Sequence, residues 1–152
     1  MGIIALASGA SCWKGLEYYK DNKVVELSQI NSSEFNSKVL GADLYNVHLN
    51  IAHARKSTCD CPLAFGKRII CKHIVATFFA AFPEEANNFE KEQERLQGEI
   101  EDYQQKLHNK VNKYIASMKK EELVNELQSL LDYGPEWMYN SFVRDHRIGY
   151  DE

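Results

Sequence analysis

The sequence predicts an α+β fold in which a small three-stranded antiparallel sheet and one covering helix precede a C-terminal helical region. Short runs of alternating apolar and polar residues, separated by turn-forming residues, occur before residue 52, and such runs are typical of strands with one buried face. Beyond Pro83 the strand formers become rare and Glu, Lys, Gln and Leu dominate, which favours helix. A chain of 152 residues with 44% hydrophobic content can form one domain or two small ones.

Three segments are strand candidates. Residues 24–30 and 35–40 are rich in strand formers and are separated by the turn-prone residues 31–33. A third strand follows Gly41, because every second residue from Tyr45 to Ile51 is large and apolar while most of those between them are polar. Three short antiparallel strands leave one apolar face that a helix has to cover.

Two pairs of metal-binding residues follow the third strand candidate. Cys59 and Cys61 form a Cys-x-Cys pair, and after nine residues Cys71 and His73 form a Cys-x-His pair. Three thiolates and one imidazole are a complete ligand set for one tetrahedral zinc ion. Because no position is left open for water or substrate, we expect one structural Zn²⁺ and no metal-based catalysis.

The covering helix is predicted directly after these ligands. Residues 74–82 are apolar almost all round and the run stops at Pro83, which indicates a short buried helix. Cys71 and His73 then lie on or just before its first turn, so the zinc ion anchors this helix to the loop after the third strand. A unit of about seventy residues has only a marginal apolar core, and we expect the metal to be needed for its folding.

These residues resemble the SWIM zinc finger. The likeness rests on the Cys-x-Cys and Cys-x-His pairs and on the run Cys-Lys-His-Ile-Val-Ala at 71–76. Upstream, Lys14-Gly15-Leu16-Glu17-Tyr18-Tyr19 resembles the Arg-Gly-x-x-Tyr segment of bacterial members, with lysine in place of the usual arginine. Lysine keeps the charge and loses the planar fork. The resemblance implies a zinc-stabilised module for DNA or protein interactions, and it divides the chain into an N-terminal segment at 1–10, a SWIM-type domain at 11–83 and a helical region at 84–152.

Other cysteines and histidines offer alternatives to this ligand set. His48 and His53 are the alternative ligands, whereas Cys12 lies outside the spacing and is expected to be an ordinary half-buried thiol. Disulfides are a further alternative, but no secretory signal precedes them. Reduced thiols and the lack of a targeting or membrane segment predict a cytoplasmic protein.

The region after Pro83 is predicted to form three helices. A long one runs from about residue 88 to 118, a second ends at Gly134-Pro135, and a shorter third follows at about 137–143. Because the apolar stripe of the long helix keeps no strict heptad, we favour helices that fold back on one another and on the zinc unit over a coiled-coil dimer. A homodimer remains the alternative. The stripe consists of Leu96, Ile100, Tyr103, Leu107, Val111, Tyr114 and Met118.

Charge is distributed unevenly along the chain. Residues 1–90 hold nine basic and nine acidic side chains, and 91–152 hold nine basic and thirteen acidic ones. Around the predicted metal site only Asp60 is acidic, so a basic patch is expected there. The candidate nucleic-acid-binding residues are Arg55, Lys56, Lys67, Arg68 and Lys72. Solvation of an ordinary loop is the competing interpretation.

Three function classes remain in view. The first is an interaction module that contacts DNA or a nucleic-acid complex through this basic zinc face, while its acidic helices hold a protein partner. The second is a protein–protein adaptor with no nucleic-acid binding. The third, a Cys-His hydrolase with Cys71 or Cys12 as nucleophile, is disfavoured because zinc consumes the best thiol and imidazole. We therefore expect no enzyme.

Overall fold

The computed structural model describes residues 2–149 and divides into two compact units, with the boundary between Arg95 and Leu96. Met1 and residues 150–152, which the predicted N-terminal segment and helical region include, lie outside the described part. The first unit contains α1 Ile3–Leu6, α2 Gly9–Lys20, β1 Val24–Asn31, β2 Glu34–Leu40, β3 Leu44–Asn50, β4 Thr58–Cys59 and α3 Lys72–Ala81. A long helix, α4 Pro83–Ser117, continues into the second unit and is followed there by α5 Lys120–Tyr133 and α6 Glu136–Asp145.

The sheet is antiparallel throughout, with the strand order β1-β2-β3-β4. The three predicted strands are confirmed, and the short β4 adds a fourth that the sequence did not predict. The turn between β1 and β2 is closed by the side chain of Asn31, whose Oδ1 accepts a hydrogen bond from the Ser33 N–H at 2.9 Å. β4 pairs with β3 through Val47 opposite Cys59 and His48 opposite Thr58. The sheet therefore ends at a metal-ligand position.

The core of the first unit lies between one face of the sheet and the helices α2 and α3. Alternate residues of β2 and β3 face it, as the period-two pattern predicts. Helix α3 is buried on nearly all sides, in agreement with its continuous apolar sequence. The fully buried side chains with the largest volumes are Phe79, Ile3, Leu49, Ile74, Val39, Val75, Thr77 and Cys71.

A buried polar contact joins α3 to the sheet. The hydroxyls of Ser37 on β2 and Thr77 on α3 lie 2.5 Å apart, and Thr77 Oγ1 also donates to the His73 carbonyl at 2.9 Å. Both hydroxyls are buried and hydrogen-bonded, so the contact avoids the cost of unsatisfied polar groups. It also fixes the position of α3 along β2.

Helix α2 was missed by the sequence analysis, which treated its residues only as part of a family motif. Its sequence contains two glycines and a serine, which are weak helix formers. Packing provides the reason that it forms: a Cβ added to Gly15 would lie 2.5 Å from the Cβ of Val75, so α2 approaches α3 as closely as a glycine allows. The one local signal was Ser8, whose hydroxyl caps the helix by accepting from the Ser11 N–H at 3.1 Å.

The three predicted C-terminal helices are confirmed as α4, α5 and α6. Pro83 does more than end α3, because it is also the first residue of α4, where proline is well tolerated. The expected folding of these helices onto one another is wrong for the apolar stripe of α4, whose six residues from Leu96 to Tyr114 are 39–66% exposed. Among residues 96–149 no side chain is buried. Within the described chain, no helix is long and apolar enough to cross a membrane.

Candidate metal centre and basic groove

Four side chains from three structural elements meet at one end of the sheet. Cys59 is the last residue of β4, Cys61 lies in the turn that follows, and Cys71 and His73 lie at the start of α3. The turn closes because the Cys61 carbonyl accepts hydrogen bonds from the backbone N–H groups of Ala64 at 3.0 Å and Phe65 at 2.9 Å. The sulfur and nitrogen ligand atoms of the four residues all lie within 4.8 Å of one another.

The geometry of this cluster fits zinc. His73 Nδ1 lies 3.7 Å from Cys59 Sγ and 3.9 Å from Cys71 Sγ, close to the separation of about 3.5–3.8 Å that tetrahedral zinc imposes on its donor atoms. All four residues are buried, so protein donors fill the whole coordination shell. These side chains form a closed Cys3His site for one structural zinc ion, as the spacing predicts.

The start of α3 favours the thiolate form of Cys71. The pKa of Cys71 is lowered, first because the Cys59 thiol donates a hydrogen bond to it and further because of hydrogen bonds from the His73 side chain and from the backbone N–H groups of Ile74 and His73. The pKa of Cys59 is raised, chiefly by the same sulfur–sulfur hydrogen bond and then by burial. Zinc binding requires both thiols to be deprotonated.

Two aromatic rings hold the imidazole of His73. Tyr45 stacks on it with a centroid distance of 4.6 Å and an interplanar angle of 27°, and Tyr18 from α2 lies at 5.4 Å. Its Nε2 is buried without a hydrogen-bond partner in residues 2–149. A Cβ at Gly41 would lie 3.1 Å from this nitrogen and 2.8 Å from the Tyr45 ring. The packing of these two rings therefore orients His73, whereas in many zinc sites a hydrogen bond to the second ring nitrogen orients the histidine.

The alternative ligands lie elsewhere. His48 is on the polar face of the sheet, where its Nδ1 is 3.1 Å from the side-chain oxygen of Asn36, and His53 is exposed in the loop after β3. Cys12 is buried on α2, its thiol is directed to the Ile4 carbonyl at 3.7 Å, and burial raises its pKa. A buried thiol with a raised pKa is a poor nucleophile. No disulfide joins any of the four cysteines.

Residues 45–82 match the family model of the SWIM zinc finger. The matched segment contains β3, β4, α3 and all four zinc ligands, so the resemblance expected from the sequence is confirmed there. No curated protein and no solved structure was found that matches the chain. The upstream motif lies outside the match, but the structure gives it a role: Gly15 allows α2 to approach α3, and Tyr18 packs against His73.

Four of the five predicted nucleic-acid-binding residues border one groove of the first unit. This basic groove has a volume of about 1250 Å³ and lies over the solvent face of the sheet. Arg55 and Lys56 border it from the loop before β4, and Lys67 and Arg68 from the loop between the two ligand pairs. All four are exposed, and none forms an ion pair with another described residue.

Lys72, the fifth predicted residue, lies apart from the basic groove. Its ammonium is 4.4 Å from the centre of the Tyr18 ring, and it borders a smaller cavity of about 450 Å³ beside the zinc ligands. Lys14 of the upstream motif borders the same cavity. The five predicted residues are close in sequence, but in the structure they belong to two separate basic surfaces.

The basic groove also contains residues that the sequence analysis did not select. Phe65 lies on its rim and is 71% exposed, beside Gly66, whose φ of +67° turns the chain in the left-handed region. Asn36, Asn46 and His48 form part of its polar floor. The available signal was an aromatic residue two positions from Lys67 and three from Arg68, in a loop that contributes no strand or helix.

Proposed function

We propose that the protein is a zinc-stabilised interaction module whose basic groove binds nucleic acid. The observation that carries this proposal is the group of four unpaired cations around one concave surface, Arg55, Lys56, Lys67 and Arg68. The chain as a whole has a net charge of −4. A cluster of free cations on an acidic protein is suited to the phosphates of a polyanion.

The acidic groups of the basic groove support this interpretation because each already has a partner. Glu26 pairs with Lys38 across the two strands at 3.0 Å. Asp60 accepts hydrogen bonds from the backbone and side-chain nitrogens of Asn46 at 2.9 and 2.8 Å. Neither carboxylate forms an ion pair with any of the four cations, which leaves them available to an external anion.

The zinc ion has a structural part in this function. Arg55 and Lys56 lie just before the ligand Cys59, and Lys67 and Arg68 lie between the ligands Cys61 and Cys71. Closing the metal site therefore fixes two loops that would otherwise move independently. The zinc does no chemistry here and sets the spacing of the cations instead.

Single strands fit the basic groove better than duplexes. The exposed Phe65 ring offers a surface on which an unpaired base can stack, and stacking of this kind is worth about 1–3 kcal/mol per base. In a duplex both faces of each base are already covered by neighbouring bases. The amide groups of Asn36 and Asn46 on the floor can reach the edges of an unstacked base without imposing a strict sequence.

Titration of fluorescent oligonucleotides with the zinc-loaded protein tests this proposal. Fluorescence anisotropy should show binding to single strands that weakens with salt, with a slope of log affinity on log salt of about −3 for four phosphate contacts. The variant Lys67→Glu with Arg68→Glu should abolish this binding. A matched double variant, Lys91→Glu with Lys120→Glu, makes the same charge change on the helices and should retain it. Phe65→Leu should reduce the preference for single strands. Lack of binding at low salt would overturn the proposal.

A protein adaptor is the second candidate function, favoured by exposed apolar side chains on α5 and α6. Leu127 and Leu130 on α5, and Trp137 and Tyr139 on α6, are 45–69% exposed. In this version the C-terminal helices capture a protein partner and the basic groove is only solvated. The result that distinguishes it is partner capture that survives the charge reversal at Lys67 and Arg68, together with no nucleic-acid binding by the unaltered protein.

Binding is proposed in preference to catalysis for two reasons. The Cys3His site leaves no coordination position for a substrate, and the remaining thiol, Cys12, is buried with a raised pKa. We also place the protein in the cytoplasm, because a site of three thiolates is maintained most readily in a reducing compartment.

A further inference from the structure

The part of α4 that lies in the second unit has one continuous apolar stripe that the chain leaves exposed. Its residues repeat every eleven positions: Leu96 corresponds to Leu107, Ile100 to Val111, and Tyr103 to Tyr114. An 11-residue repeat gives 3.67 residues per turn, close to the 3.6 of a straight α-helix, so the stripe stays on one side of the helix. From Leu96 to Ser117 it extends for about 33 Å at 1.5 Å per residue.

The charges of α4 separate into two halves. Residues 84–102 contain eight acidic and two basic side chains, whereas residues 103–117 contain three lysines and no acidic residue. Compensation of the helix dipole explains acidic residues in the first turn and basic residues in the last turn only. The change of sign occurs in the middle of the helix, between Asp102 and Lys106. A helix with this pattern has a negative half and a positive half along the same apolar stripe.

We propose that α4 pairs with α4 of a second copy of this chain in antiparallel orientation. Parallel pairing would place like charges side by side along the whole helix. Antiparallel pairing about the midpoint between Tyr103 and Gln104 places each negative half against a positive half.

The same midpoint also matches the apolar stripe. It sets Leu96 opposite Val111 and Ile100 opposite Leu107, so the four aliphatic residues of the stripe face one another, while Tyr103 and Tyr114 lie opposite Gln104 and Gln93. It likewise brings Glu99 within two positions of Lys106 and Lys110 of the other copy, and these three residues lie on the same flank of the stripe. Two independent patterns, apolarity and charge, thus agree on one register.

The second copy is preferred to a different partner because this helix is complementary to itself. No side chain in the part of the second unit that the structure describes is buried, and the stripe therefore has no competing use within the chain. This inference does not rest on nucleic-acid binding, and its tests measure the oligomeric state and the orientation of the two helices.

Sedimentation of the zinc-loaded full chain over a range of concentrations gives the first test. The protein should shift from monomer to dimer, and Lys106→Glu with Lys110→Glu should weaken the dimer about tenfold or more, since both symmetric contacts with Glu99 become repulsive. Adding Glu99→Lys to the same chain should restore most of the lost affinity. Circular dichroism shows whether each variant remains helical. A helical chain that stays monomeric at about 100 μM, well above the Kd of a specific dimer, would overturn the proposal.

Disulfide formation tests the orientation. Leu96→Cys protein alone should not cross-link under mild oxidation, whereas a mixture of Leu96→Cys and Val111→Cys proteins should give a covalent dimer, because only the antiparallel register brings these two positions together. The native protein controls for its own thiols, three of which the zinc ion holds. Cross-linking of Leu96→Cys with itself would show a parallel pair and refute the antiparallel arrangement.

Discussion

The two compact units of this chain obtain their order in different ways. The first unit buries side chains between a sheet and two helices and closes a four-ligand metal site at the end of that sheet. In the second unit no described side chain is buried. Its helices are supported by local contacts, such as the Lys106–Asp102 pair at 2.6 Å and the Glu122 carboxylate, which accepts from the Lys119 N–H at 2.7 Å. Local contacts stabilise helices by only tenths of a kcal/mol each, so the second unit has far less stabilisation of its own than the first.

Removal of zinc should produce the largest difference between the units. Chelation, or the substitution Cys71→Ser, should abolish the fold of the first unit while leaving most of the helical signal of α4 and α5, because metal binding is coupled to folding only where the ligands lie. Far-ultraviolet circular dichroism and amide NMR spectra of the full chain measure both units.

Cys12→Ser serves as the matched control for this prediction. It also removes a buried thiol, but that thiol lies outside the metal site, so the fold should persist. If the demetallated protein kept the amide spectrum of its sheet, the structural role of the zinc ion would be disproved.

Gly15→Ala should have the next largest effect. The added Cβ would lie 2.5 Å from the Val75 Cβ, and α2 cannot move away without opening the core, so we expect a loss of about 2–3 kcal/mol in the free energy of unfolding. Denaturant titration of the zinc-loaded protein measures it. Gly9→Ala, at a position on the same helix with open space around it, should be neutral or stabilising.

Ser37→Ala should cost less, about 1 kcal/mol. The substitution removes one hydroxyl from the buried contact with Thr77, but Thr77 keeps its hydrogen bond to the His73 carbonyl and is not left unsatisfied. Denaturant titration should show a shifted midpoint with an unchanged slope. A loss of 3 kcal/mol or more, which is the scale of a disrupted core, would mean that the contact also supports the metal ligand.

Gly134→Ala should have the smallest effect, although its geometry is tighter than that of Gly15. An added Cβ would lie 2.2 Å from the Leu130 carbonyl oxygen, yet the end of α5 is exposed and can unwind by one turn. We expect a change below about 1 kcal/mol, confined to neighbouring amides in NMR spectra. An effect as large as that of Gly15→Ala would show that the second unit is more tightly packed than its exposure indicates.

The sequence predicted the metal site and the strands because both depend on residue type and spacing within short segments. The Cys-x-Cys and Cys-x-His pairs could close only one kind of site, and the alternation in β3 survives in its burial pattern. β4 has only two residues, too few for a period to appear. Helix α2 escaped prediction because its stability comes from contact with α3, which lies more than fifty residues away in the chain.

The surfaces were harder to predict than the core. Residues that lie close together in sequence were grouped as one basic patch, but the start of α3 directs Lys72 towards Tyr18 while the loops carry the other four cations to the basic groove. The apolar stripe of α4 was predicted correctly, but the prediction that the other helices cover it was wrong. An amphipathic pattern indicates that one face of a helix is apolar and does not indicate what packs against it. Phe65 has no periodic pattern around it, and only the folded loop reveals its exposure.

Cys59 couples the register of the sheet to the completeness of the metal site. Cys59 is both the residue of β4 that pairs with Val47 and a donor to the metal. Because successive side chains of a strand point to opposite faces, a slip of β4 by one residue would present Thr58 in its place and leave the coordination shell with three donors. The full set of four metal ligands therefore forms only when the fourth strand pairs with β3 in the correct register.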